Sequence, residues 1–189
     1  LDKIAEILSI LLGPHVWGPV VIFTTVFRSG LDLDHIKIIL PLGFLFVFVI
    51  PMGYIHLLRW QGKLSSWDMT LREERPKVLF VGLISIIFSL ISTYFFANQL
   101  LFHLTLIFVI FAAVSLAITK FWKISLHMEM TVAGSMMLNF LFNWQLPILY
   151  LTIPVVFWAR YQLKKHTVPQ LLAGTIVGII AGSIVYLGL

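Results

Sequence analysis

Long apolar runs alternate with short polar segments along almost the whole chain. A helix that crosses a bilayer needs about 20 mostly apolar residues. Apolar residues are continuous within each run and do not alternate with polar ones, which argues against membrane strands. The two runs that flank Asn143–Gln145 are shorter than the others, and together they are typical of a helical hairpin. The six predicted spans are Ile36–Leu58, Val78–Ala97, Leu100–Ile118, Met128–Phe142, Leu146–Ala159 and Val168–Leu189.

The N-terminal apolar run, Ile4–Phe27, is interrupted by Gly13-Pro14 and Gly18-Pro19. These pairs predict either a kinked span or a segment that lies in the membrane interface. We therefore expect an all-α, polytopic transmembrane helical bundle of about six spans plus a possible N-terminal membrane-associated helix. We expect one integral membrane domain over residues 1–189, in which a kinked segment at 1–30 precedes a six-helix core at 36–189.

Composition indicates the same class of protein. Hydrophobic residues make up 60% of the chain, charged residues 11%, and the mean hydropathy is +1.01, whereas soluble domains carry about 25% charged residues. The absence of cysteine excludes disulfides and thiolate metal sites. The net charge is +5, and the cationic residues lie at the ends of apolar runs. This distribution argues against nucleic-acid binding and favours membrane lipid headgroups or phosphate esters as partners.

Three polar islands follow predicted spans: island 1 at Asp68–Pro76, island 2 at Lys123–His127 and island 3 at Arg160–Gln170. Two spans separate each island from the next, so all three are expected at one membrane face. The loops on that side carry ten of the thirteen Lys and Arg residues. The positive-inside rule therefore predicts that this face is cytoplasmic.

Island 3 carries the groups best suited to phosphate chemistry. The planar guanidinium of Arg160 matches phosphate oxygens and stays charged at any working pH. His166 precedes a predicted helix start marked by Pro169, where free N–H groups and the helix dipole favour an anion. An imidazole there can attack phosphorus or transfer a proton. Taken alone, such a histidine is more often a polar anchor at the membrane interface.

Islands 1 and 2 add further candidates. In island 2, Ser125 and His127 open a predicted helix that also contains Glu129, while Lys123 either binds phosphate or extends to lipid headgroups. In island 1, Arg72 and Arg75 can bind phosphate oxygens, with Glu73 and Glu74 holding them in place. The alternative for island 1 is a solvated loop with internal salt bridges, each contributing about 0–1 kcal/mol.

The order Arg75-Pro76, Ser125-x-His127, Arg160-x5-His166 resembles the type-2 phosphatidic acid phosphatase superfamily, the membrane lipid phosphatases related to vanadium haloperoxidases. The pattern of that family is K-x6-R-P, then P-S-G-H, then S-R-x5-H-x3-D. The resemblance extends from about Trp60 to the C-terminus and identifies the chain as a divergent member.

The resemblance implies a metal-independent lipid phosphatase that needs no cofactor. His166 would take the phosphoryl group as nucleophile, and His127 would protonate the leaving alcohol. Arg75, Arg160 and Ser125 would bind the phosphate oxygens. A phosphohistidine divides a difficult displacement into two easier steps, and preplaced cations stabilise the transferring phosphoryl group. The implied substrate is a lipid or isoprenoid phosphate.

Several motif positions depart from the family pattern. Asp68 stands where the family has lysine, and Ile124 and Leu126 replace the proline and glycine beside the serine. Gln170 stands where the family has the aspartate that orients the nucleophilic histidine, so Gln170 and Glu129 are the remaining candidates for that orienting role. Arg72, Lys123 and Lys164 are candidates for the missing cation.

Two other functions remain open. The departures favour a catalytically inactive relative that binds lipid or serves as a structural subunit of a larger membrane complex. A haem- or quinone-binding subunit would use two of the histidines on facing helices. The glycine stripe of the last predicted helix indicates close helix packing, either within the chain or in a homodimer. The histidines are His15, His56, His103 and His127, and the glycines are Gly174, Gly178 and Gly182.

Overall fold

The computed structural model describes residues 1–188 of the chain, with side chains for residues 1–185. It is all-helical, with 82% of the residues in helices and no strand among the described residues, which confirms that the protein is all-α. The described α-helices are α1 (Asp2–Leu11), α2 (Pro14–Arg28), α3 (Leu33–Phe44), α4 (Ile50–Trp60), α5 (Arg75–Phe96), α6 (Gln99–Phe121), α7 (Leu126–Leu141), α8 (Thr152–Gln162) and α9 (Val168–Gly188).

Five described helical segments are long and apolar enough to cross a bilayer, so the chain is a multi-pass integral membrane protein. Four of them correspond to predicted spans, and the N-terminal segment is the fifth. Helix α7 has only 16 residues and α8 only 11, whereas a span needs about 20, so the predicted count of about six spans is not confirmed. The five segments are Asp2–Arg28, Leu33–Trp60, Arg72–Phe96, Gln99–Phe121 and Val168–Val185.

The N-terminal segment contains one break and not two. Helix α1 ends at Leu11 and α2 starts at Pro14. The first residue of a helix does not donate its N–H within the helix, so proline, which has no N–H, is well suited to that position. Pro19 lies inside α2 without ending it. The kink predicted at Gly13-Pro14 is therefore present, and the whole segment has the length of a span.

The chain divides into two compact units, each described by itself. The terminal unit consists of Leu1–Thr24 together with the chain from Ile124 onward, and the central unit is Thr25–Lys123. The single integral membrane domain expected over residues 1–189 stays a prediction.

In the central unit, α3 and α4 form one helical rod joined by a π-helical turn at Leu45–Val49. The N–H of Ile50 donates to the carbonyl of Leu45, five residues earlier. In that register the next donor would be Pro51, which has no N–H. The hydroxyl of Ser85 on α5 instead donates to the Phe46 carbonyl. A side chain of a neighbouring helix thus satisfies the backbone group that the proline leaves open.

In the terminal unit, α7 is the central helix, with 11 of its 16 residues buried. It packs against α8 and α9. The hairpin between α7 and α8 turns at the predicted place, and Asn139 holds it. The Asn139 amide donates to the carbonyls of Ser135 (3.1 Å) and Leu146 (2.9 Å) and accepts from the Leu146 N–H (3.1 Å).

Candidate functional site

A tight turn between α8 and α9 joins the two main residues of island 3. The N–H of Lys164 donates to the carbonyl of Tyr161 (2.9 Å), and the N–H of Lys165 donates to that of Arg160 (3.1 Å). These two bonds form a Schellman motif, which requires a left-handed residue after the helix. Lys164 takes that conformation, with φ +52°. The turn places Arg160 and His166 on either side of one short reversal of the chain.

Arg160 is buried in the terminal unit, with only 2% of its surface exposed. Its Nη1 donates to the hydroxyl of Ser9 at 2.8 Å, and Ser9 lies on α1, which packs against α8. Burying a guanidinium in an apolar protein is costly unless other groups bond to it. The contact with α1 therefore helps to fix the position of the Arg160 guanidinium inside this unit.

Nothing in the island pattern pointed to Ser9, because it lies about 150 residues from island 3 and within an apolar run. One signal was available in the sequence. Ala5 and Ser9 are small residues at four-residue spacing, which is typical of a helix face that approaches another helix closely. Both residues are buried, at 0% and 4% exposure.

His166 and Gln170 flank the start of α9. His166 is buried, at 5% exposure, and lies two residues before the first residue of α9. The Thr167 N–H donates to the Gln170 side-chain oxygen at 3.2 Å, which is the reciprocal half of a capping box. Gln170 thus has a helix-capping role that the resemblance did not imply, and this cap fixes the first turn of α9 directly after His166.

Ser125 of island 2 also has a capping role. It is fully buried and precedes α7, where its hydroxyl accepts from the Met128 N–H at 3.4 Å. Its own N–H donates to the Gln170 carbonyl at 3.2 Å. A Cβ on Gly174 would collide with the Ser125 carbonyl, so only glycine permits this approach. Islands 2 and 3 are therefore in direct backbone contact.

The glycine stripe of α9 continues this contact along α7. A Cβ added to Gly178 would lie 2.6 Å from the Glu129 carbonyl and 2.8 Å from the Val132 Cβ, and one on Gly182 would lie 2.7 Å from the Met136 Cβ. The glycine stripe therefore packs against another helix of the same chain, which is one of the two predicted alternatives.

Glu129 and His127 lie in the first turns of α7. Glu129 is buried at 5% exposure, and His127 is half-buried. Ionisable side chains inside membrane proteins are costly and occur mainly where they are paired or functional. Both residues follow Ser125 on the helix whose start contacts α9, so they belong to the same end of the terminal unit as Arg160 and His166.

The island 1 arginines lie in the central unit. Arg75 is the first residue of α5 and only 2% exposed, and its Nε donates to the Met69 carbonyl at 3.0 Å. Arg72 Nη1 donates to the Phe121 carbonyl at 2.9 Å. Arg72 Nε also lies 3.5 Å from a carboxylate oxygen of Glu73, in a pair whose side chains are 44% and 72% exposed.

The remaining acidic residues of island 1, Asp68 and Glu74, accept hydrogen bonds from hydroxyl and backbone groups of residues 65–70. Asp68, which stands where the family has lysine, accepts from the hydroxyls of Ser66 (2.9 Å) and Thr70 (3.0 Å). Glu74 accepts from the backbone N–H and the hydroxyl of Ser65. Of the two glutamates expected to hold the arginines, Glu73 contacts Arg72 and Glu74 stabilises the loop.

The predicted site residues therefore divide between the two units. Among the described residues, no group of three His, Asp or Glu side chains is placed to hold a metal ion. The central unit contains Arg72, Arg75 and Lys123, and the terminal unit contains Ser125, His127, Glu129, Arg160, His166 and Gln170.

No protein-family model matches this chain, and neither a curated protein nor a solved structure matches it.

The terminal unit combines the groups that phosphate chemistry requires. Arg160 supplies a buried, permanently charged fork for phosphate oxygens. His166 supplies a ring nitrogen at a helix start, where the dipole favours an anion. Ser125, two residues before His127, fixes the start of α7 against α9. These residue types can bind a phosphate ester, accept its phosphoryl group and protonate a leaving alcohol.

Proposed function

We propose that this protein is a metal-independent phosphohydrolase that dephosphorylates a lipid or isoprenoid phosphate. One observation carries the proposal: Arg160 and His166 are both buried at a single tight turn, although the chain is strongly apolar. Such polar groups are retained inside a membrane protein mainly where they serve function. The end of the terminal unit where α7, α8 and α9 meet is the proposed site.

The proposed reaction has two steps. A ring nitrogen of His166 attacks phosphorus while the bond to the ester oxygen breaks, and the imidazolium of His127 gives its proton to the departing alcohol. Water then attacks the phosphohistidine, with neutral His127 taking its proton, so that inorganic phosphate leaves and both histidines are restored. Arg160 stabilises the charge on the equatorial oxygens throughout.

The position of the proposed site supports a lipid as the substrate. Helix ends of a multi-pass protein lie at the level of the lipid headgroups, and a lipid phosphate reaches that level while its apolar tail stays in the bilayer. The positive charge of the islands attracts anionic headgroups.

Gln170 favours a second candidate function, a lipid-binding subunit without catalysis. Its side-chain oxygen accepts from the Thr167 N–H, and an amide carries no charge with which to stabilise an imidazolium at His166. A protein that retains Arg160 but lacks this carboxylate would bind a lipid phosphate and leave it intact.

Phosphate release from purified full-length protein distinguishes the two functions. We expect the protein in detergent micelles, with EDTA present, to release phosphate from phosphatidic acid or a prenyl phosphate. His166→Ala should lower the rate by about 10³-fold or more, because the nucleophile is lost. His103→Ala is the matched control, since this histidine lies on α6 outside all three islands, and it should keep the wild-type rate.

Each other result has a defined meaning. Release that is undiminished in His166→Ala contradicts the phosphohistidine mechanism. Saturable binding of phosphatidic acid without release by the wild-type protein supports the lipid-binding function instead. Neither binding nor release would contradict both.

A further inference from the structure

The hydroxyl of Ser9 has a proton that no described group accepts. Its oxygen accepts a hydrogen bond from Arg160 Nη1 at 2.8 Å, and the residue is only 4% exposed. A serine inside a helix commonly donates to the carbonyl three or four residues earlier, but among the described residues no such bond is formed by Ser9. A buried hydroxyl needs an acceptor, because leaving it without one costs free energy.

The position of Ser9 is fixed at both ends of α1. Near its start, the Gln162 side-chain amide donates to the Asp2 carboxylate at 2.9 Å. Just after its end, the Thr131 hydroxyl donates to the Leu12 carbonyl at 3.4 Å. Ser9 lies between these two contacts, so its hydroxyl is held at a defined place beside Arg160.

We infer that Ser9 is a phosphate-binding residue that shares one anion with Arg160. This inference rests on the proposed function, in which Arg160 binds a phosphate group. The hydroxyl accepts from the guanidinium and donates its own proton to a phosphate oxygen, and a hydroxyl that accepts from a cation is the better donor for it. A phosphate oxygen supplies the acceptor that Ser9 lacks, and the N-terminal helix thereby becomes part of the binding site.

The ligand chemistry is that of a phosphate monoester, which a lipid phosphate and inorganic phosphate share. Two titrations separate these sources: inorganic phosphate alone, and short-chain phosphatidic acid in the same micelles. If Ser9 contacts only the phosphate group, Ser9 variants should change the affinity for inorganic phosphate and the affinity for phosphatidic acid by the same factor. A larger change for the lipid would place Ser9 against the acyl chain and overturn the inference.

The test uses the full-length protein and calorimetric titration with inorganic phosphate. Ser9→Ala removes the donor and should weaken binding about tenfold, because a hydrogen bond to a charged group is lost. Ser9→Thr keeps the hydroxyl and should bind within about twofold of the wild-type protein. Thr131→Ala is the matched control, because it loosens the same N-terminal segment without removing a contact to Arg160.

The outcomes separate a binding role from a structural one. Two results would show that Ser9 only holds α1 in place and would overturn the inference. One is that Ser9→Ala and Thr131→Ala weaken phosphate binding equally. The other is that Ser9→Thr does not restore phosphate binding although its melting temperature matches that of the wild-type protein. Wild-type affinity in Ser9→Ala would overturn it as well, while leaving the proposed function intact. A wild-type protein that binds neither probe would contradict the proposed function itself.

Discussion

Single polar residues decide how the site of this protein is held together. Arg160, His166 and Ser125 are each at most 5% exposed, and hydrogen bonds hold Arg160 and Ser125 in place. The Arg160 side chain bonds to Ser9 and its carbonyl closes the Schellman turn, while Ser125 caps α7 and contacts α9 through its backbone. Each polar group is thus built into a helix end, where open backbone groups need partners.

The left-handed conformation of Lys164 predicts a stabilising substitution. Lys164→Gly should raise the free energy of unfolding by about 0.5–1 kcal/mol, because an L side chain at positive φ is strained and glycine is not. Lys164→Ala removes the charge but keeps the Cβ, and it should leave stability nearly unchanged. Denaturant titration in micelles measures both. Equal stabilisation by the two variants would assign the effect to the charge instead of the backbone.

Whole helices in this chain are shaped by their own breaks and caps. The rod of α3 and α4 contains a π-helical turn shortly before Pro51, and Ser85 of α5 donates to the Phe46 carbonyl within that turn. Helix α6 is capped by Asn98, which also donates to the Ser29 carbonyl at 2.6 Å. The apolar runs predicted the helices themselves, but neither the π turn nor its partner could be predicted, because they depend on where α5 packs.

Ser85→Ala tests the link between α5 and the π turn. The substitution leaves the Phe46 carbonyl without this donor and should lower the free energy of unfolding by about 1 kcal/mol. Ser92→Ala on the same helix is the control, because its hydroxyl donates to the Phe88 carbonyl, which lies four residues earlier and within α5 itself. Unfolding in micelles compares them. Similar losses in both variants would contradict a special role for Ser85.

The cap of α3 predicts a pH dependence. Asp32 accepts from the backbone N–H groups of Asp34 and His35 and from the His35 ring. The hydrogen bond from the His35 backbone, followed by that from its ring, lowers the pKa of the Asp32 carboxyl below its ordinary value. A lowered carboxyl pKa means that the folded state favours the ionised form, so its stabilisation is present above the ordinary pKa and is lost as pH falls through the folded one.

Thermal unfolding of Asp32→Ala therefore should depend on pH in a defined way. The variant should melt below the wild-type protein at pH 6, and the difference should shrink as the pH falls below about 4, where carboxyls become protonated. Asp32→Asn keeps the capping oxygen and should recover part of the difference at pH 6. A difference that is constant from pH 6 to pH 3 would contradict an effect of the charge.

At the scale of the whole molecule, the topology depends on pairs of helices. The short helices α7 and α8 form a hairpin, so their outer ends return to the same side whether or not the hairpin crosses the bilayer. The prediction that the three islands share one membrane face therefore does not depend on whether the spans number five or more. The excess of Lys and Arg at this face predicts that it is cytoplasmic.

Single-cysteine variants test this topology directly, because the chain contains no cysteine. In intact cells, a membrane-impermeant maleimide should label Asp34→Cys, whereas Lys63→Cys and Thr167→Cys should react only after permeabilisation. All three positions are exposed. Labelling of Lys63→Cys and Thr167→Cys on opposite sides would contradict the parity, and labelling of both from outside would reverse the predicted orientation.

The sequence by itself determined the class of this protein and most of its helices, because hydrophobic length and helix breakers act locally along the chain. It also marked Arg160 and His166, since charge in an apolar chain is conspicuous. The tertiary structure alone decided that Ser9 bonds to Arg160 across 151 residues, that Gln170 caps α9, and that the glycines of α9 pack on α7. Those contacts depend on which distant surfaces meet, and local patterns do not encode that.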